Sequence, residues 1–231
     1  MIRKIHKVGS QKNKWKRNSN KLNYLKTIYE NILSLSVAEL ISRIINLFTT
    51  AYLARVILPE GFGIINFATA FVSYFVLFVD FGLDAIGTRD IARNKKEVGI
   101  YAGTFLIFRL SIAFGISIVY FIIVHSLNLS LIEKDILYLT GLNLFLTAIM
   151  FQWIFRAYEQ MKYISIGQII GSIINLIGIV LIVEGIKDLE LVVIIGLIAT
   201  LINNIFMIFI YTIKIGKVHF NIKLSLLKNL I

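Results

Sequence analysis

Two opposite charges, Glu39 and Arg43, lie four residues apart in a segment that is otherwise rich in Ile, Leu, Val and Phe. In a bilayer each central charge costs about 2.5–3.5 kcal/mol, so the pair costs roughly 5–7 kcal/mol. Residues 32–54 hold eleven Leu, Ile, Val or Phe, which return roughly 3–7 kcal/mol. The segment therefore inserts comfortably only if the charges face each other, another helix or water. With Glu first, the i, i+4 spacing favours a helical ion pair.

Polar residues recur at steps of three and four in several apolar segments, which places them on one face of a helix. In the first segment they are Ser36, Glu39, Arg43, Asn46 and Thr50. In the others they are Asn66, Thr69, Ser73, Asp80 and Asp84; Gln168, Ser172 and Asn175; and Thr200, Asn203, Asn204 and Tyr211, with Arg109 as a lone charge. Such faces are typical of a helical bundle around a hydrated cavity for polar cargo.

Three other interpretations of these residues stay open. Asp80 and Asp84 sit near a segment end, where they could be interfacial. Glu39 and Arg43 could be a structural ion pair that fixes one helix against a neighbour. The Asn and Ser faces could serve only for hydrogen bonds between helices.

The elements that must position these residues are six apolar segments, each long enough to cross a hydrocarbon core of about 30 Å. They cover residues 31–53, 64–84, 99–124, 136–157, 164–184 and 191–213. The chain is 58% hydrophobic and 16% charged, whereas soluble domains are about half apolar and a quarter charged. The sequence predicts an all-α integral membrane protein with six transmembrane helices, and it places Pro59 in the first connection.

The distribution of Lys and Arg predicts the orientation. Of the 24 Lys and Arg residues, 19 fall on one side of the six segments if residues 1–30 are cytoplasmic, and three fall on the other. This bias is the positive-inside signal, and it explains the net charge of +11 without nucleic acid. We therefore expect a basic cytoplasmic segment at 1–30, a six-helix lobe at 31–213 and a basic cytoplasmic linker at 214–231.

Residues for catalysis or metal binding are not arranged in a known pattern. The chain has no Cys, and His6, His125 and His219 are too scattered to suggest shared ligation. We find no glycine-rich phosphate loop and no His-Glu-x-x-His motif. The sequence predicts a protein that is not an enzyme, with no catalytic residue, metal site or cofactor.

One long stretch carries a family resemblance. Residues 31–97 combine a polar first helix, a turn with Arg55 before "PEGFG" at 59–63, and "DFGLDAIGTRDIAR" at 80–93. With "QWIFRAYEQMKYISIGQ" at 152–168, they resemble a Wzx-type polysaccharide flippase. This is the oligosaccharide-lipid exporter branch of the superfamily that also holds MATE multidrug exporters and lipid II flippases. One departure is Leu58, where the turn often has Gly.

The resemblance implies transport of undecaprenyl-pyrophosphate-linked oligosaccharide repeat units across the bacterial inner membrane for O-antigen or capsule synthesis. It implies twelve to fourteen helices in two lobes around a cavity, which is often cationic. Here Arg43 and Arg109 would supply that charge. The expected cavity residues are Glu39, Arg43, Asn46, Asp80, Asp84, Arg109 and Asn175. Expected partners are the lipid-linked oligosaccharide, membrane lipid, a second lobe or chain, and a glycan polymerase complex.

Two alternatives differ in what the acidic residues do. A cation-coupled multidrug exporter would use Glu39, Asp80 and Asp84 as an ion or proton site. A non-transporting scaffold for glycan-synthesis enzymes would use the charges only as structural pairs. The resemblance implies twelve or more helices, and six helices would leave the polar faces without an opposing wall, so we expect this chain to be the amino-terminal half of a transporter. The alternative is a six-helix protein that dimerises to make both walls.

Overall fold

The computed structural model describes Tyr29 and residues 31–220, and this part of the chain is helical with no strand. Six helical segments in it are long and apolar enough to cross a membrane. They are Asn31–Val56, Leu58–Arg93, Lys95–Ser126, Leu131–Ala157, Met161–Ile182 and Ile186–Lys214. The predicted all-α class and six spans are confirmed. The predicted basic segment 1–30, apart from Tyr29, and residues 221–231 of the predicted linker lie outside the described residues.

In the described residues, nine α-helices and two short 3-10 helices make up the six spans. They are α1 (Asn31–Val56), α2 (Leu58–Asp80), α3 (Leu83–Arg93), α4 (Val98–Ser126), α5 (Leu131–Gly141), α6 (Asn143–Ala148), α7 (Gln152–Ala157), α8 (Met161–Ile182) and α9 (Leu189–Lys214). The second span combines α2 with α3, and the fourth combines α5, α6 and α7. The element boundaries therefore differ from the prediction most in these two spans.

The first connection is shorter than predicted. Helix α2 begins at Leu58 with Pro59 in its first turn, so the assignment of Pro59 to a loop between helices is wrong. A proline is tolerated in the first turn because its missing N–H has no partner there. Leu58 has φ 62°, in the left-handed region that favours glycine. This is the turn position at which the resembling family often has Gly.

The second span is broken after Asp80. Phe81 and Gly82 both have left-handed backbone, with φ 47° and 74°, and α3 then continues to Arg93. Residues 85–93, predicted as a connection, are therefore helical. The break places Asp80 at the end of one helix and Asp84 in the first turn of the next.

The fourth span is also broken, at Leu142 and again at residues 149–151. A capping box starts this span, because the Ser130 side chain accepts from the Glu133 amide while the Glu133 carboxylate accepts from the Ser130 amide. The second break frees the carbonyl of Met150 from a regular helical ladder. This carbonyl becomes part of the ionic cluster described below.

Two apolar clusters hold the spans together. One surrounds the α1–α2 and α4–α5 connections and includes Ile57, Tyr120 and Leu137. The other surrounds the α3–α4 and α7–α8 connections and includes Phe105, Trp153 and Tyr211. Near the α3–α4 and α7–α8 connections, the Tyr158 hydroxyl donates to the Lys95 carbonyl at 3.1 Å. Burial raises the pKa of Tyr158.

Candidate functional site

A polar cleft of about 500 Å³ lies between α1, α8 and α9. We call it the amide cleft, after its Asn and Gln side chains. It is lined by Glu39, Ser42, Arg43 and Asn46 of α1; by Gln168, Gly171, Ser172 and Asn175 of α8; and by Gly196, Ala199, Thr200 and Asn203 of α9. The polar faces predicted on three separate helices therefore meet at one site.

Helix α1 is tied to the α8 segment on both sides of the amide cleft. At one end Asn31 Nδ2 donates to the Glu159 carbonyl at 2.7 Å, and Ser34 Oγ lies 3.2 Å from Ser165 Oγ. At the other end the Tyr52 hydroxyl donates to the Val183 carbonyl at 2.9 Å. These hydrogen bonds hold the ends of α1 while its polar middle faces the cleft.

The charges of the amide cleft compensate each other. Arg43 donates to the Glu39 carboxylate at 2.6 Å, and both side chains are exposed in the cleft. Glu39 and Arg43 are the charged residues of its lining. The pair lowers the cost of each charge in the bilayer and gives the lining no net charge.

A second cavity of about 440 Å³ adjoins the first and shares Asn46, Asn175, Gly196 and Thr200 with it. It reaches across to α2, α5 and α6, where its polar residues are Asn66, Thr69, Thr140 and Asn143. The two cavities form a continuous polar path along α1.

A close contact between α8 and α9 sets the floor of the amide cleft. A Cβ atom on Gly167 would lie 2.3 Å from Asn203 Oδ1 and 2.8 Å from Met207 Cε. At Gly171 the nearest atom, the Ala199 carbonyl oxygen, would be at an ordinary 3.7 Å. Gly167 therefore makes the room that the Asn203 amide occupies.

Arg109 is the buried member of an ionic cluster whose other side chains are partly exposed. Its side chain is 2% exposed, and it donates to Asp80, to Asp84 at 2.6 Å and to the Met150 carbonyl at 3.3 Å. Arg156 approaches the other oxygen of Asp84 at 3.5 Å. The two arginines and two aspartates sum to zero charge.

This cluster joins two helix breaks to α4. Asp80 and Asp84 flank the break in the second span, and Met150 lies in the break of the fourth. A buried charge without its partner is strongly destabilising, so the cluster fixes the relative positions of three spans. Its geometry is that of a structural clamp.

The structure divides the seven predicted cavity residues into two groups. Glu39, Arg43, Asn46 and Asn175 line the amide cleft, whereas Asp80, Asp84 and Arg109 belong to the ionic cluster and line neither of the two cavities. Arg109 was expected to line the cavity, and it lies in the ionic cluster because its guanidinium donates to two carboxylates and a carbonyl there. The sequence analysis assigned no role to Ser42 or Arg156. For Arg156 the available signal is its position four residues after Gln152, which places both side chains on one face of a helix.

These features define a multi-pass, all-helical membrane protein with a polar cleft inside its spans. Residues 28–231 match the family described as Polysaccharide biosynthesis protein, and the chain belongs to this family.

One curated protein and one solved structure are similar to this chain. The chain is 25% identical over 164 residues to the protein named "Putative O-antigen transporter" of Escherichia coli (strain K12), a match over 68% of this chain and 37% of that protein. Its fold is similar to a solved MOP superfamily transporter from Pyrococcus furiosus, with a TM-score of 0.62 and 16% identity over 87% of this chain. The match covers 50% of that structure, so the chain spans half or less of either relative.

Proposed function

We propose that this chain forms one lobe of a transporter that moves lipid-linked oligosaccharide repeat units across the bacterial inner membrane. The observation that carries the proposal is the polar path formed by the amide cleft and the adjoining cavity inside a bundle that is otherwise apolar. Its length along α1 suits an extended, hydroxyl-rich cargo, and the apolar flanks suit a lipid tail. Membership in a polysaccharide biosynthesis family supports this kind of substrate.

The acidic residues give no support to a cation-coupled drug exporter. Glu39 is paired with Arg43, and Asp80 and Asp84 are paired with Arg109. A cation or proton site needs a carboxylate that is free to take up the ion. A scaffold without transport would need no polar path through its spans, so the cleft favours a transporter over this alternative as well.

We further propose the orientation and the partners. Lys95 and Lys96 in the α3–α4 connection, with Arg156 and Lys162 in the helical turns on either side of the α7–α8 connection, support placing this end, together with both termini, in the cytoplasm. The amide cleft would then be completed by a second lobe or chain, with membrane lipid around both. A glycan polymerase complex is the partner we expect to receive the transported unit.

Deleting the gene in its own host tests the proposed function. We expect lipid-linked repeat units to accumulate in the cytoplasmic leaflet and surface polysaccharide to disappear, because synthesis continues while export stops. Mass spectrometry of the lipid extract and a surface-glycan blot measure both effects. The intact gene should restore export. A deletion strain with normal surface glycan and no lipid-linked intermediate would contradict the proposal.

A further inference from the structure

We infer that the amide cleft is a subsite for the uncharged sugar part of the substrate, which it selects by hydrogen bonds and not by charge; this inference rests on the proposed function. In the described part of the chain, buried side-chain atoms without a hydrogen-bond partner are concentrated at this cleft. Four of the six belong to its lining: Ser42 Oγ, Gln168 Oε1, Asn175 Oδ1 and Asn203 Oδ1. An unmade hydrogen bond on a buried polar group destabilises the fold, so such a concentration calls for a ligand.

The adjoining cavity shows what a satisfied polar lining is like. Its threonine hydroxyls donate to carbonyls of their own helices, as Thr69 does to Ile65 at 2.8 Å and Thr140 to Ile136 at 2.6 Å. Asn143 also donates to the Thr140 carbonyl at 3.1 Å. Of the four oxygens without a partner, Asn175 Oδ1 lines both cavities, whereas those of Ser42, Gln168 and Asn203 line the amide cleft and not the adjoining cavity. The unused hydrogen-bonding capacity of the described residues therefore lies mainly in the amide cleft.

The charges in the amide cleft disfavour an ionic ligand. A metal cation that approached the free oxygens would meet the Arg43 guanidinium, and a bare phosphate would meet the Glu39 carboxylate. The two side chains neutralise each other at 2.6 Å. The lining therefore attracts neither sign, and the pyrophosphate of the substrate must find its counter-charges elsewhere in the transporter.

A neutral ligand rich in hydroxyl and N-acetyl groups fits what remains. Each amide side chain both donates and accepts, as sugar hydroxyls do. The four oxygens are shielded in the present conformation, so the lining side chains must turn toward a ligand that enters between α1 and α8. A cavity of about 500 Å³ is large enough for a sugar unit, since small-molecule sites range from about 300 to 1,000 Å³.

Two probes of equal charge, which carry either a sugar or a methyl group on the terminal phosphate, test this inference. The terminal methyl ester of farnesyl pyrophosphate and farnesyl-pyrophosphate-linked N-acetylglucosamine are titrated against the full chain in nanodiscs, and the ratio of the two Kd values reports the sugar contribution. We expect the sugar-bearing probe to bind at least about tenfold more tightly, as two or more neutral hydrogen bonds would give. Asn175→Leu and Asn203→Leu should each reduce that ratio about fivefold, the factor of one hydrogen bond.

The controls keep the other outcomes informative. Asn128→Leu changes an exposed amide outside the spans and should leave the ratio unchanged, while the helical circular dichroism signal in nanodiscs shows that each variant is folded. Equal binding of both probes to the wild-type chain would overturn the inference but not the proposed function. Failure of the wild-type chain to bind the sugar-bearing probe would also overturn the inference, whereas the proposed function is tested by the gene deletion. A Kd ratio that the leucine variants do not change would also overturn the inference. So would wild-type binding that weakens when choline replaces sodium in the buffer, because it would indicate a cation site.

Discussion

At the residue scale, the three charges in the middle of the spans, Glu39, Arg43 and Arg109, each have a partner of opposite sign. Glu39 and Arg43 were predictable as an i, i+4 pair from spacing alone. The partners of Arg109 were not, because Asp80 and Asp84 come from another span and meet it only through a helix break. The sign and depth of a charge can thus be read from sequence, whereas its long-range partner depends on packing.

The buried position of Arg109 leads to a stability prediction. Arg109→Leu should reduce the free energy of unfolding by about 1–3 kcal/mol, since it removes the main counter-charge of two aspartates that are partly exposed, one of which keeps Arg156. Arg89→Leu is the matched control: its bond to Asp90 is exposed, and it should cost about 0–1 kcal/mol. Unfolding in detergent by a chemical denaturant measures both. Equal stability of the two variants would refute the clamp.

The Glu39–Arg43 pair leads to a binding prediction. Glu39→Gln should strengthen binding of sugar-free farnesyl pyrophosphate, because it leaves the Arg43 guanidinium without its counter-charge in the cleft. Arg43→Gln should weaken the same binding, because the lining becomes negative. Titrations at low and high salt measure the effect, which should diminish as salt screens the charges. If the Kd values of the two variants did not shift in opposite directions, the pair would not set the charge of the cleft.

At the element scale, the existence and type of the six spans followed from length and hydrophobicity, and the breaks inside them did not. The break at 149–151 contains neither Gly nor Pro, so local sequence carries no signal for it. Gly82 marks the other break, yet an isolated glycine in an apolar run usually stays helical. These breaks are stabilised by contacts with α4, which a single segment does not reveal.

A glycine contact at the start of α4 gives a prediction for the chain that follows α9. A Cβ on Gly103 would lie 2.1 Å from the His219 carbonyl oxygen, and the His219 amide donates to the Gly99 carbonyl at 2.9 Å. Gly103→Ala should therefore displace residues 217–220 and speed tryptic cleavage after Lys217 in nanodiscs. Gly115→Ala, whose Cβ would meet nothing within 4 Å, should leave the rate unchanged. Equal cleavage rates in the two variants would argue against this contact.

At the scale of the whole molecule, the charge distribution predicts the topology. Cysteines introduced at Glu60, Lys134 and Lys187, in a chain that has no Cys of its own, should react with an impermeant maleimide added to intact cells. A cysteine at Lys95 should react only after the membrane is opened, because the proposed orientation places the basic α3–α4 connection in the cytoplasm. The reverse pattern would invert the proposed orientation.

The central claim is that this chain is one lobe of a transporter for lipid-linked oligosaccharides, and translocation in proteoliposomes tests it most directly. A fluorescent undecaprenyl-pyrophosphate oligosaccharide is placed in both leaflets, and the fraction reached by an external glycosidase is followed with time. With the chain and a carboxy-terminal lobe of the same family reconstituted together, we expect the protected fraction to become accessible, while the chain alone leaves it protected. A protected fraction that stays constant in the presence of both lobes would contradict the account, and sustained translocation by the chain alone would contradict its two-lobe form.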